Sequence, residues 1–471
     1  MVVSCEHGDA DVLNRENSIF TDSACIILAA GKGTRMKSDI PKVLHKIAGQ
    51  SMIDYVIGLA ALEVSVKRIV VVYDGSDLVK DAIYTTWPDV SMVLQKDRTG
   101  TASAVMCAKS SLSTQNISSV FVFFGDTPFV KVEHIQAMLH KRNSGADVVV
   151  IGFITQNSKG YGRLRLCERT GRLLEIIEDI FDTERNYQDE VLCNSGVMCI
   201  NAKVLFDMTE EIMSDDNNIG EYKLTDIISI ANSWGMRCEY VQADCESTMG
   251  VNSMEHLAMA EDIFQKRKRT EVMNAGVTLL DSDSTYFSYD TKIETGVVIE
   301  PHVFFGENVV VEKNARVRAF SYIEDSHICR NATVGPFARL RSSVIGCDSR
   351  IGNFVEVKKS RLCTGVKVCH LSYIGDTDIG EGTNIGAGVI TCNYDGERKH
   401  NTEIGKGAFV GSMVALVAPV NVGDGAYIAC GSVITEDVPD DAFAIRRQMA
   451  QVVKVEYAPK LRKRCVAKTV D

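Results

Sequence analysis

Two short stretches of the 471-residue chain carry residue types suited to phosphate chemistry. The first is Gly31-Lys32-Gly33-Thr34-Arg35, which follows an apolar run at residues 24–30 and precedes Lys42. Backbone N–H groups around glycines can cradle a phosphate, and Lys32, Arg35 and Lys42 add cationic donors. Taken bare, the loop also reads as a simple strand-to-helix turn. Met36 stands where a dinucleotide fingerprint needs its third glycine, and no Walker-type Gly-Lys-Ser/Thr is present. The second stretch is Gly125-Asp126, directly after the apolar run 120–124. A carboxylate beside a buried strand needs a partner, and a hard divalent cation is one; a turn-capping role is the other reading.

Both stretches must be held by the elements before them. Apolar runs at 24–30, 68–73, 91–94, 120–124 and 147–154 alternate with helix-like segments such as 102–110 and 133–142. That alternation predicts a parallel sheet flanked by helices. In such sheets ligands bind beyond the carboxyl ends of the strands, where both stretches fall.

The second half is organised differently. An aliphatic residue or Phe recurs every six residues at Ile299, Phe305, Val311, Val317 and Ile323, with five-residue steps at intervals (Ile323 to Ile328, Ile374 to Ile379) and a last run from Ile404 to Ile434. Glycine often follows the anchor, as at Gly346, Gly352, Gly380 and Gly411, and a small or β-branched residue often comes four positions after it. A period of six fits neither a helix nor simple alternation, but it fits a β-solenoid of short strands and tight corners with the anchors stacked inside. Glycine there allows positive φ and close backbone approach. Alternating strands with chance spacing are the plainer reading. Between Thr391 and Ile404 the hexads are interrupted by Asn393-Tyr394-Asp395-Gly396, a turn by composition and a functional loop by its length. Residues 252–268 read as a helix joining the two halves.

Composition bounds the class. Hydrophobic content of 45% and charged content of 24% suit a soluble globular protein, and the length suits two domains. A net charge of −11 argues against a nucleic-acid scaffold, and no apolar run is long enough to span a membrane. Residues 1–22 carry acidic groups and no apolar segment, so they read as a mobile extension rather than a secretory signal. The fifteen cysteines form no Cys-x-x-Cys pair, which disfavours a disulfide framework or zinc site and makes the cytoplasm the expected compartment.

The run Leu28-Ala29-Ala30-Gly31-Lys32-Gly33-Thr34-Arg35-Met36-Lys37-Ser38-Asp39-Ile40-Pro41-Lys42-Val43-Leu44 closely resembles the signature of sugar-1-phosphate nucleotidyltransferases. Followed by hexads, it resembles the bacterial bifunctional N-acetylglucosamine-1-phosphate uridylyltransferase/glucosamine-1-phosphate acetyltransferases over about residues 23–450. The resemblance implies an α/β, Rossmann-like nucleotidyltransferase domain (23–251), a linker helix (252–275), a left-handed parallel β-helix of hexapeptide repeats (276–450) and a basic tail (451–471). It implies UTP and acetyl-CoA as co-substrates, Mg²⁺ as cofactor, glucosamine-1-phosphate and N-acetylglucosamine-1-phosphate as substrates, and a homotrimer.

By the same resemblance, Leu28, Ala29, Ala30, Gly31, Arg35 and Lys42 belong to the triphosphate loop, Arg35 and Lys42 being catalytic. Gln95, Gly100 and Thr101 contact uracil, Phe124 and Gly125 lead to the metal ligand Asp126, and Asn252 is the second ligand. Gly162, Glu178 and Asn194 contact the sugar, and Gly220-Glu221-Tyr222-x-Leu224-Thr225-Asp226 is a further family motif. In the hexads, Arg341 and Lys358 hold the sugar phosphate and His370 is the catalytic base. Tyr373, Asn384, Ala387, Asn393, Tyr394, Ser412, Cys430 and Arg447 complete the acetyl site. The chain departs from the family at Ala102-Ser103-Ala104, usually Gly-His-Ala; at Ile180, usually lysine; and at Cys430, usually alanine. Because a repeat can serve assembly alone, a monofunctional sugar nucleotidyltransferase is the alternative reading.

Overall fold

The computed structural model describes residues 22–112, 116–156, 158–179, 182, 189–214 and 221–446. The extension expected at 1–22 (save Asp22), the basic tail, Ile180, Gly220 and Arg447 therefore lie outside the described residues. The chain divides into two compact units between Lys266 and Arg267, within the helix Met254–Asn274. Among the described residues, no helix is long and apolar enough to cross a membrane.

In the first unit the strands are, in chain order, β1 (Ser23–Ala29), the short antiparallel pair β2 (Lys46–Ile47) and β3 (Gln50–Ser51), β4 (Arg68–Tyr73), β5 (Ser91–Leu94), β6 (Ser119–Phe124), β7 (Val148–Thr155), β8 (Arg163–Leu166), β9 (Leu173–Ile177), β10 (Val191–Asn201) and β11 (Cys238–Ala243). The main sheet runs β11-β7-β10-β6-β1-β4-β5. Every residue of β1 is buried, the mark of a central strand covered on both faces. Its alternate side chains feed two cores, Ile26 and Leu28 with Val70 and Val122 on one face, Cys25 and Ile27 with Val71 and Phe121 on the other. Ser51 starts the helix Met52–Gly58 by accepting a hydrogen bond from Asp54 N.

One feature departs from the parallel sheet expected from sequence. β10 runs antiparallel to both β6 and β7, between which it lies. It is also paired antiparallel with β8, itself half of an antiparallel hairpin with β9, so the chain enters β10 reversed and the sheet is mixed. Apolar runs alone do not encode strand direction.

The second unit is a parallel β-helix. Strands of two to four residues stack into three parallel sheets of ten, eight and eight strands. Stacked partners are 18 residues apart where the coil is three full hexads (Val298 and Arg316) and 17 apart where one step is five residues long (Arg350 and Lys367). The anchors Ile299, Phe305, Val311, Val317, Ile323 and Leu340 are wholly buried and form one column of core with their neighbours.

The glycines that follow the anchors are not, in the main, at positive φ. That conformation falls two or three residues past the anchor, on His302, Asn308, Asn314, Phe320, Phe337, Asp348 and Phe354 as well as on glycines such as Gly382. Close approach is what demands glycine after the anchor. A Cβ at Gly352 would lie 1.9 Å from Cys369 O, and one at Gly380 would lie 2.6 Å from Gly405 C, on the next coil. Of the two roles expected for glycine, spacing between coils is the one served at these positions.

Candidate functional sites

The end of β1 and the loop after it open into a cleft of about 590 Å³ lined by Leu28, Ala29, Ala30, Gly31 and Lys32 on one side. Phe124 and Asp126 from the end of β6 line it too, with Lys42, Gln95, Gly100, Thr101 and Asn252. A Cβ at Gly31 would meet nothing within 4 Å, so the glycine leaves open space. Gly33 is at φ +58 and a Cβ there would lie 2.9 Å from Lys42 Cβ. Its absence lets the loop close over the lysine. Lys42 Nζ reaches the carboxylate of Asp126 and donates to Asn252 Oδ1 at 3.1 Å. Two oxygen donors from distant segments thus converge on one positive charge, with the Lys42 and Asp126 side chains only 12% and 15% exposed. Carboxylate plus amide oxygen is a hard donor set that fits Mg²⁺.

Gln95 is buried and its Nε2 donates to Gly100 O (3.0 Å) and Ser103 Oγ (2.8 Å). Ser103 Oγ in turn donates to Gly100 O at 2.9 Å, so the unusual Ala102-Ser103-Ala104 segment closes its own loop. Gly100, at φ +123, has no room for a side chain: a Cβ would sit 2.3 Å from Tyr222 O. Leu224 N donates to Thr101 Oγ1 at 2.8 Å and Thr225 Oγ1 to Glu178 Oε1 at 2.7 Å. The described part of the 220–226 motif therefore braces the Gly100 loop and Glu178 together. Asn194 N donates to Gly162 O at 2.8 Å, and Glu178 Cδ comes within 3.9 Å of where a Gly162 Cβ would be. Gly162, Glu178 and Asn194 are thus one group, although none lines the cleft described above. Arg35 is exposed on the short turn Thr34–Met36 and does not line it either. Arg98 and Glu221 do line it, and sequence reasoning had not singled them out as site residues. Arg98 pairs with Asp74 at 3.1 Å, which places the guanidinium.

On the β-helix, strand register builds the second site. Arg341 is directly paired with Lys358 on the next coil, and Glu356 with Tyr373. Glu356 also forms an ion pair with Arg341. Lys399 and Arg341 push the Lys358 ammonium below its ordinary pKa, so three cations crowd one patch. Such a patch suits an anion. Lys399 went unnoticed in the sequence because it lies in the insertion, outside the hexad register. The insertion is closed by Asp395, which accepts from Glu397 N (2.8 Å), Arg398 N (2.7 Å) and His400 Nε2 (2.7 Å). Those bonds hold its carboxyl well below the usual range. Asn393 Nδ2 reaches the carboxylate of Asp376 and lies 3.5 Å from Tyr373 Oη, while Tyr394 is exposed and donates to Gly396 O at 2.7 Å.

His370 is exposed, and its Nδ1 is 2.7 Å from Asn353 Oδ1. An amide oxygen only accepts, so Nδ1 is the donor, and in the neutral ring Nε2 is the nitrogen that can accept a proton. Asn384 stacks on Lys367 of the preceding coil. Ala387 O accepts from Met413 N (2.7 Å), Ser412 O from Gly431 N (2.8 Å), and the Cys430 thiol is exposed. These three mark successive coils beside His370, whose own carbonyl accepts from Gly388 N at 3.1 Å.

A nucleotide-sized cleft over a glycine loop, joined in one chain to a hexapeptide β-helix carrying polar residues, defines a sugar-phosphate nucleotidyltransferase with an attached acyltransferase-type domain. Comparisons with known proteins agree. Residues 25–175 match the MobA-like NTP transferase domain, and residues 282–374 match the GMPPB C-terminal domain. The chain is 44% identical to the bifunctional protein GlmU of Bartonella quintana, covering 93% of this chain and 97% of the relative. It is 45% identical to that of Sinorhizobium medicae (93% and 95%) and 42% identical to that of Zymomonas mobilis (94% and 98%). The chain belongs to the bifunctional GlmU family and is an enzyme with both uridylyltransferase and acetyltransferase activity. A repeat serving assembly alone is not favoured.

Proposed function

We propose that the β-helix unit moves the acetyl group of acetyl-CoA to the amine of glucosamine-1-phosphate, and that the first unit then joins the product to the uridylyl group of UTP. The observation that carries this reading is the pair of separate polar constellations, Lys42–Asp126–Asn252 in one unit and Arg341–Lys358–Lys399 with His370 in the other.

In acetyl transfer the three cations hold the sugar phosphate and leave its amine facing the thioester. The amine attacks the carbonyl carbon, His370 Nε2 takes the proton, and the coenzyme A thiolate departs. Asn353 holds the imidazole in the tautomer that can accept. In uridylyl transfer a phosphate oxygen of the sugar attacks the α-phosphorus of UTP, and the bond to the β-phosphate breaks, releasing pyrophosphate. Backbone N–H groups of the 30–33 loop with Lys32, Arg98 and Lys42 bind and orient the triphosphate. Asp126 and Asn252 would hold Mg²⁺, which when bound neutralises charge on the phosphates.

We place the enzyme in the cytoplasm as a homotrimer. Support for self-association comes from a ladder of exposed rings on the β-helix, Phe320, Phe337 and Phe354, which are 51%, 45% and 55% exposed and stack 4.9 and 5.0 Å apart. Sedimentation finding a monomer at micromolar concentration would remove the trimer. Product analysis tests the chemistry: glucosamine-1-phosphate, acetyl-CoA and UTP together yield UDP-N-acetylglucosamine, and omission of any one prevents it. Formation of UDP-glucosamine as the main product without acetyl-CoA would overturn the order of steps.

A further inference from the structure

Away from both sites, one face of the β-helix gathers a carboxylate, an imidazole and two thiols from three successive coils. Glu312 follows the buried anchor Val311, His327 and Cys329 flank the anchor Ile328 on the next coil, and Cys347 lies two residues past Ile345 on the third. Residues at i and i+2 of a strand point to the same side, so His327 and Cys329 both turn away from the core. The ligand atoms of Glu312, His327 and Cys329 all lie within 4.8 Å of one another, and each residue is half-buried. Cys347, on the coil after Cys329, stands outside that close group and acts electrostatically on the Cys329 thiol. Arg330 N donates to Glu312 Oε2 at 2.9 Å, which turns the other carboxylate oxygen to His327 Nε2 at 2.7 Å.

We propose that Glu312, His327, Cys329 and Cys347 form a Zn²⁺-binding site that clips three coils of the β-helix together. The donor set, one oxygen, one nitrogen and two sulfurs, is that of a borderline-soft cation preferring four ligands, and it is unsuited to Mg²⁺. A surface ion pair between Glu312 and His327 would need neither thiol. Backbone register fixes the ligands before any metal arrives: Glu312 N donates to Ile328 O (2.8 Å) and Cys329 N to Ile345 O (2.9 Å). Arg361, on the coil after Cys347, also acts on the Cys329 thiol and is a positive group that the site must accommodate. The role is structural, since no residue of this cluster belongs to either constellation described above. The lack of Cys-x-x-Cys spacing disfavours a zinc site in the sequence; the ligands of this one would be assembled by stacking instead.

The full-length chain, stripped of metal and kept reduced, is titrated with Co²⁺ as a spectroscopic substitute for Zn²⁺, with excess Mg²⁺ present to fill hard-oxygen sites. One equivalent should produce thiolate-to-cobalt charge-transfer absorption that Zn²⁺ displaces. Cys329→Ser should abolish it, and His327→Gln should weaken affinity by more than about tenfold. Uridylyl and acetyl transfer should be unchanged in both variants, which also certifies their folding. On the parent protein, Zn²⁺ should slow alkylation of Cys329 and Cys347 together while leaving the exposed Cys245 and Cys363 unaffected. No such band, a band that survives Cys329→Ser, or alkylation of the two thiols at an unaltered rate would overturn the site.

Discussion

His370 Nδ1 lies 2.7 Å from Asn353 Oδ1, its register partner on the preceding coil of the same parallel ladder. The ladder therefore sets the imidazole tautomer as well as its position. His370→Ala should lower acetyl transfer by roughly two to four orders of magnitude and leave uridylyl transfer intact. Asn353→Leu should lower the acetyl-transfer kcat by roughly tenfold with little change in the KM for the sugar phosphate. A His370→Ala enzyme of near-parental acetylation rate would leave that site without its base.

Asp126 shares Lys42 with Asn252 in the first unit. Asp126→Ala should abolish Mg²⁺-dependent uridylyl transfer and spare acetylation, because the acetyl constellation uses none of these residues. Parallel loss of both activities, measured in one preparation, would point to misfolding instead.

A fragment retaining uridylyl transfer must extend to about Lys266. Ending it near residue 250 would delete Asn252, and also Val251 and Ala260, which pack with Ile47, Met52 and Phe129. Residues 1–266 should turn over N-acetylglucosamine-1-phosphate with UTP and show no acetyl transfer. Folded but inactive protein at that length would remove the assignment of the first site.

Lys399 and Arg341 depress the Lys358 pKa. Lys399→Ala should raise the KM for glucosamine-1-phosphate more than it lowers kcat. It should also move the alkaline limb of the KM–pH profile upward, because Lys358, relieved of a like-charged neighbour, stays protonated to higher pH. A limb that moves downward would show that the two ammonium groups do not share one anion.

Gly352→Ala would drive a methyl group to 1.9 Å from Cys369 O, which must move. We expect destabilisation of about 1–3 kcal/mol or more, read as a lower denaturation midpoint. An unchanged midpoint would mean that the coils part without cost.

How much of this was legible in the sequence depended on whether a pattern or a contact carried it. Period-six anchors were readable because every coil buries the same position, as at Ile299, Val317 and Val334. The five-residue steps were visible too, and become 17-residue coils. The direction of β10 was not readable, since apolar runs are blind to polarity. Lys399 was hidden by the break in the hexads, and the zinc ligands by their distribution over three coils. Arg35 illustrates the reverse case: its motif is intact in sequence, yet its side chain stands outside the cleft lining.

Because glycine lets each coil rest on the backbone of the next, the β-helix works as a ruler with a single graduation, the strand spacing of about 4.8 Å. Arg341 and Lys358 are one mark apart, and Asn353 and His370 are one mark apart. The length of the ruler is then independent of what is written on it. Removing the whole coil between Val298 and Arg316 would shorten the rod by one mark and leave those intervals as they are. Coils of 17 and of 18 residues occupy the same interval, so a five-residue step changes a corner and leaves the marks after it in place.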